Sequence, residues 1–113
     1  MKRNVKLYIT DIIEAIELIE GSTRSVSKKK FERNKDIQDA TIRRIEIIGE
    51  AVKNIPLDIR EKHPEIEWKQ IAGTRDVVVH AYFGVNIDSV WKVVKEDLPL
   101  LKKHVQKILE NEK

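Results

Sequence analysis

Between Val5 and Glu20 the apolar residues Tyr8, Ile9, Ile12, Ile13, Ile16 and Ile19 follow the three-and-four spacing of one helix face. Gly21 is expected to stop that helix. The polar, partly basic run GSTRSVSKKK reads as a connector into FERNKDIQDATIRRIEIIGEAVKNIP, the longest helical stretch. There Ile37, Thr41, Ile45, Ile48 and Val52 form a stripe, with Ala40, Ile47 and Ala51 beside it. Asp36, Asp39, Arg43, Arg44, Glu46, Glu50 and Lys53 lie mostly off the stripe. Gly49 inside this helix costs roughly 1 kcal/mol relative to Ala, which suggests that another helix approaches closely there. Pro56 ends the helix, and LDIREKHPEIE has room for a short helix before Pro64. NIDSVWKVVKEDLPLLKKHVQKILENEK forms a last long helix. Asn86 is its expected N-cap, Pro99 is expected to kink or divide it, and lysines in its final turns suit the helix dipole. With neither an internal repeat nor a flexible linker, residues 1–113 read as a single domain, an all-α bundle of about four or five helices.

The segment TRDVVVHAYF at 74–83 tests that reading. Its β-branched residues favour a strand. A strand there would find no second strand to pair with, and an isolated strand leaves its backbone groups unsatisfied. Helix is therefore expected. On a helix, Asp76 and His80 project from one face at i, i+4, and Arg75 and Tyr82 align nearly at i, i+7. His80 lies roughly 140° round from Arg75, so the two flank a shared edge. A two-fold dimer packed along that edge would set one copy's Arg75 beside the other's His80.

Composition narrows the chemistry. With no cysteine among 113 residues, a disulfide scaffold, a cysteine nucleophile and a zinc–thiolate site are excluded, and the usage fits the cytoplasm. No apolar run approaches the ~20 residues that cross a bilayer. The start MKRNVKLYITDII is broken by charges too early to serve as a signal peptide. The net charge is only +3, which permits an RNA partner without arguing for one.

A histidine is a general acid or base near neutral pH, and an arginine holds phosphate and stabilises charge that develops on it. Together Arg75 and His80 suffice for RNA cleavage without a metal. A base takes the 2′-hydroxyl proton, that oxygen attacks the adjacent phosphorus, and the cation stabilises the crowded phosphate. Asp76 could fix the imidazole tautomer, and Tyr82 could stack on a base or donate to phosphate. Spacing alone favours a plainer account, a solvated i, i+4 pair and two surface residues.

The segment IEWKQIAGTRDVVVHAYFGVNIDSVWKVVKEDLPLLKKHV resembles the C-terminal half of HepT toxins, within the HEPN superfamily. The shared pattern is Arg-x4-His-x-Tyr, here Arg75, His80 and Tyr82, preceded by Ala72-Gly73 and followed by a Trp-bearing helix. DIQDATIRRIEIIGEAVKNIP, with IGEA at 48–51, resembles the second long helix of that family. The resemblance implies a compact HEPN-type bundle that forms a homodimer, and a metal-independent ribonuclease with Arg75 and His80 in a cleft near the dimer interface. It implies no cofactor. It further implies a toxin–antitoxin pair whose other member is a minimal nucleotidyltransferase of the MntA type, able to transfer AMP from ATP to the motif tyrosine, here Tyr82. Such a modification would put bulk and negative charge beside Arg75 and His80.

SKKKFERNK gathers Lys28, Lys29, Lys30, Arg33 and Lys35. Lys28, Lys29, Lys30 and Arg33 could follow an RNA backbone, although a solvated loop and helix start is the simpler account. Arg43 and Arg44 read as solvated helix residues. Trp68 and Trp91 read as core or dimer-interface anchors, and Tyr8 as core. His63 and His104 show no metal-ligand spacing to each other or to His80. The connector lacks the glycine spacing and Lys-Ser/Thr ending of a phosphate-binding loop. The alternative to an RNase toxin is a non-catalytic HEPN module, or an antidote, that partners a nucleotidyltransferase.

Overall fold

The computed structural model describes residues 3–73 and 86–111, and every element among them is helical. The helix expected over 74–83, with Arg75, Asp76, His80 and Tyr82, lies outside the described residues. Helix α1 (Arg3–Thr23) is followed by α2 (Lys28–Arg33), α3 (Lys35–Lys53), α4 (Leu57–Lys62) and α5 (Trp68–Ala72). After the undescribed stretch come α6 (Ile87–Lys92), a π-helical turn (Val93–Asp97) and α7 (Leu98–Asn111).

The core is the one the stripes predict. Ile9, Ile12, Ile16 and Ile19 of α1 are each fully buried, facing Ile45, Ile48 and Val52 of α3 and Leu101, Val105 and Ile108 of α7. Each such isoleucine stabilises the fold by roughly 1.5–3 kcal/mol relative to exposure. Ile47, placed beside the α3 stripe by the pattern, is instead 42% exposed. Tyr8 packs partly buried against the core.

Gly21 does not stop α1, which runs on to Thr23. A single glycine costs only about 1 kcal/mol in a helix, and burial of Thr23 outweighs that. The Thr23 hydroxyl donates to the Ile19 carbonyl one turn back at 2.7 Å, so the buried side chain leaves no hydroxyl proton unpaired.

The last three residues of the connector, Lys28 to Lys30, open α2, and Asn34 divides the stretch expected as one helix into α2 and α3. Ser27 caps α2, its hydroxyl accepting from the Lys30 N–H at 3.2 Å, and Asn34 caps α3 by accepting from Ile37 N–H at 3.1 Å. Asn86 does stand at the N-cap of α6, but among the described residues no side-chain cap bond accompanies it.

Near Pro99 the last long helix changes register. The Leu98 N–H donates to the Val93 carbonyl five residues back, in place of the usual four. Pro99 offers no N–H to the Lys95 carbonyl, so the α ladder must break there. The chain widens into a π turn and resumes as α7, dividing the helix as expected. Among the described residues no helix is long and apolar enough to cross a membrane.

Candidate functional site

The helices on either side of 74–85 are held by specific contacts. Upstream, α5 is locked through Trp68, whose indole N–H donates to the carbonyls of His63 at 3.1 Å and Arg60 at 3.2 Å. The Arg60 guanidinium lies 5.8 Å from the centre of the same ring and donates to the carbonyls of Val52 at 2.7 Å and Ile55 at 3.1 Å. Arg60 thus adds a side-chain donor to two carbonyls at and just beyond the end of α3 and also braces α5. Trp68 is the core anchor its residue type suggested.

Downstream, α6 is fastened to α2. The rings of Phe31 and Trp91 stand 5.0 Å apart, tilted by 43°, and Phe31 is completely buried. The Lys95 ammonium sits 4.7 Å over Trp91 and donates to the Thr23 carbonyl at 3.4 Å. Asp88 pairs with Lys28 at 3.2 Å. Asp88 is six residues after Tyr82 in the chain, so α2 is tied to the element that follows the motif.

The four basic residues picked out in the connector part company here. Lys28 points to Asp88. Lys29, Lys30 and Arg33 line one open groove of about 570 Å3 at the α2–α3 junction, together with Lys35 and Asp36, above Val26 and Ile37. Lys29, Lys30 and Arg33 are exposed and have no carboxylate within ion-pair distance among the described residues, whereas Lys35 meets Asp39 at 3.7 Å. Side-chain bonds join α2 to α3 behind the groove. Gln38 is buried, and its amide donates to the carbonyls of Phe31 at 2.8 Å and Glu32 at 3.0 Å. Neither Gln38 nor Asp88 stands out in the sequence, because both roles depend on contacts with a different helix.

Arg44, expected in solvent, is half-buried and joins α3 to α1 through the Leu18 carbonyl and the Ser22 hydroxyl, both at 3.3 Å. Arg43 remains exposed. His63 is buried, with Nδ1 3.5 Å from Glu65, and His104 is half-buried on α7. The Glu65 carboxyl is held below its ordinary value, first by its own backbone N–H and, against some burial, by His63 and His104.

A second groove, of about 80 Å3, is floored by Ile48, Ile66 and Leu101, with Glu65, Glu67, Asp97 and His104 at its edge. Burial raises the Asp97 carboxyl, against the opposing pull of Lys92 and with a smaller contribution from Glu96. This acidic-edged groove is the wrong sign for a polyanion, and the lysine-lined one is the right sign.

A family model described as "Ribonuclease HepT-like" matches residues 12–108. The chain is 53% identical over 108 residues to a Thermococcus cleftensis protein named "Probable ribonuclease HepT", covering 96% of this chain and 98% of that one. It is 49% identical over 110 residues to a Methanocaldococcus jannaschii protein named "Gamma-glutamylcyclotransferase and putative RNase", covering 97% of this chain. The chain spans only 50% of the length of that protein. A Caldanaerobacter subterraneus protein named "Putative RNase" is 41% identical over 106 residues, 94% of this chain and 95% of its own. No solved structure matches.

Proposed function

This chain belongs to the HepT-like ribonuclease family, and from that premise we propose that it is a metal-independent endoribonuclease acting through Arg75 and His80. The observation that carries the reading is the intact Arg-x4-His-x-Tyr pattern inside the span matched by the family, residues 12–108. His80 takes the proton from a 2′-hydroxyl, and the oxygen forms a bond to the adjacent phosphorus. The bond from phosphorus to the 5′-oxygen breaks, that oxygen takes a proton from water, and His80 later returns its own proton to solvent. Arg75 stabilises the negative charge on the phosphate oxygens throughout. Asp76 orients the imidazole, and Tyr82 supports the phosphate or a base.

The active species is a homodimer with its cleft at the junction of the two copies. In the cell the chain is a cytoplasmic toxin paired with an MntA-like nucleotidyltransferase antitoxin. That partner transfers AMP to Tyr82: the phenolic oxygen gives its proton to solvent and bonds to the α-phosphorus of ATP, and the bond from that phosphorus to the bridging oxygen breaks as pyrophosphate leaves. The added phosphate then competes with RNA for Arg75.

The test is cleavage of a mixed RNA pool in EDTA, wild type beside His80→Ala. Cleavage by wild type alone supports the reading. Equal cleavage by both would place the activity elsewhere. No cleavage by wild type, in protein whose mass excludes AMP on Tyr82, would favour a non-catalytic partner of a nucleotidyltransferase.

A further inference from the structure

The groove at the α2–α3 junction is where this chain concentrates its charge. The nine residues from Lys28 to Asp36 hold five cations and two carboxylates, a surplus of +3, equal to the net charge of the whole chain. All other charges in the sequence balance. The cations are also arranged to act together: Lys29, Lys30, Arg33 and Lys35 share one open groove while Lys28 is drawn off to Asp88. Three of the four are free of carboxylate partners among the described residues, so binding an anion there would displace no ion pair at those three.

We propose that this groove is an anchoring site for the phosphate backbone of single-stranded RNA, engaging the strand at a distance from the bond that is cut. The proposal rests on the ribonuclease reading for its choice of polyanion. Three observations support it. The cations lie on an open groove with the apolar side chains of Val26 and Ile37 at its floor, which suits a strand better than a compact ligand. The groove is fixed by the Gln38 amide and by the burial of Phe31, so the cations are presented without ordering a loop at binding. Finally, the Lys28–Asp88 pair and the Phe31–Trp91 contact join α2 to α6, which the chain enters directly after the motif. His80 and Asp88 are eight residues apart, which limits their separation to about 29 Å whatever path the chain takes. Even a strand stacked as closely as in a double helix, at about 3.4 Å per nucleotide, covers that limit within about nine nucleotides, so a 20-nucleotide RNA is long enough to reach both places. In this proposal Lys29, Lys30 and Arg33 are positioning residues for long substrates, and bond breaking is left to Arg75 and His80.

The experiment compares Lys29→Gln/Lys30→Gln/Arg33→Gln with a control that removes three exposed cations elsewhere, Lys6→Gln/Lys103→Gln/Lys107→Gln. Binding of a fluorescent 20-nucleotide RNA is followed by anisotropy between 50 and 200 mM salt, with His80→Ala added to both so that nothing is cut. The groove variant is expected to lower the slope of log K against log salt by about 2, at roughly 0.7 per lost phosphate contact, and the control by much less. In the cleavage-competent background the groove variant should raise KM about tenfold for the 20-nucleotide RNA with kcat within twofold, and leave a dinucleotide unaffected. Equal slopes for the two variants, or equal losses on long and short substrates, overturn the proposal. If the groove variant loses RNA while wild type cuts no RNA at all, the anchoring site stands and the nuclease reading falls.

Discussion

The buried ring of Phe31 in α2 rests 5.0 Å from Trp91 in α6, across sixty residues of sequence. This contact sets the place of the basic groove relative to the helix that follows the motif. Phe31→Ala should destabilise the protein by about 3–5 kcal/mol, measured by urea denaturation. In a double-mutant cycle with Trp91→Leu, a coupling of about 0.5–1.5 kcal/mol is expected. Strict additivity of the two changes would mean that the rings are neighbours without an energetic link.

Arg60 serves two carbonyls and the face of Trp68 with one planar group. Arg60→Ala is expected to cost about 2 kcal/mol, because it leaves the carbonyls of Val52 and Ile55 without this donor and removes the brace on α5. Arg60→Lys should recover less than half of that, since an ammonium lacks the fork that reaches both oxygens. Full rescue by lysine would show that only the charge matters.

Asp97 makes stability depend on pH in a direction opposite to that of most carboxylates. Burial raises its folded value above the ordinary 3.8, opposed by Lys92. Below the ordinary value both states are protonated and no penalty applies. As pH rises, the unfolded chain ionises first, so stability falls until pH passes the folded value. Asp97→Asn should therefore stabilise the protein at pH 7 and make no difference at pH 3, as read from denaturation midpoints. A variant that stabilises equally at both would trace the effect to packing.

Thr41 is fully buried in α3, and its hydroxyl has no hydrogen-bond partner among the described residues. Thr41→Val keeps the shape and removes the stranded group. A gain of about 1 kcal/mol in unfolding free energy is expected. A loss would reveal an ordered water serving the hydroxyl.

The long helices were legible because burial dominates them. Ile12, Ile16, Ile45, Ile48 and Val52 appear at helical spacing and are buried where the spacing puts them. Gly21 misled because a stop signal is a local preference of about 1 kcal/mol, and tertiary packing of Thr23 exceeds it. The start of α2 at Lys28 and its separation from α3 at Asn34 hid within a polar run, whose single buried residue Phe31 is too isolated to form a stripe. A signal was present in Ser27, a capping residue three positions before the Lys30 N–H it accepts from. Pro99 announced a break in the last helix, but the π turn at Val93–Asp97 depends on hydrogen-bond register, which composition does not encode. As for the candidate site, sequence supplied the cations Lys29, Lys30 and Arg33 but not their shared groove, nor the diversion of Lys28 to Asp88.

Helix α1 also constrains when the molecule can exist as a folded body. Its apolar face is covered by α3 on one side and by α7 on the other, and Lys102 clamps the second contact through Glu20 at 2.8 Å and Glu17 at 3.7 Å. A ribosome releases α1 first, and residues 98–108 emerge much later. Until then Ile9, Ile12 and Ile16 lack part of their cover, and the nascent chain has no complete core to hold α2 against α6. The junction of α2 with α6 is thus among the last parts of the described fold to be completed during synthesis.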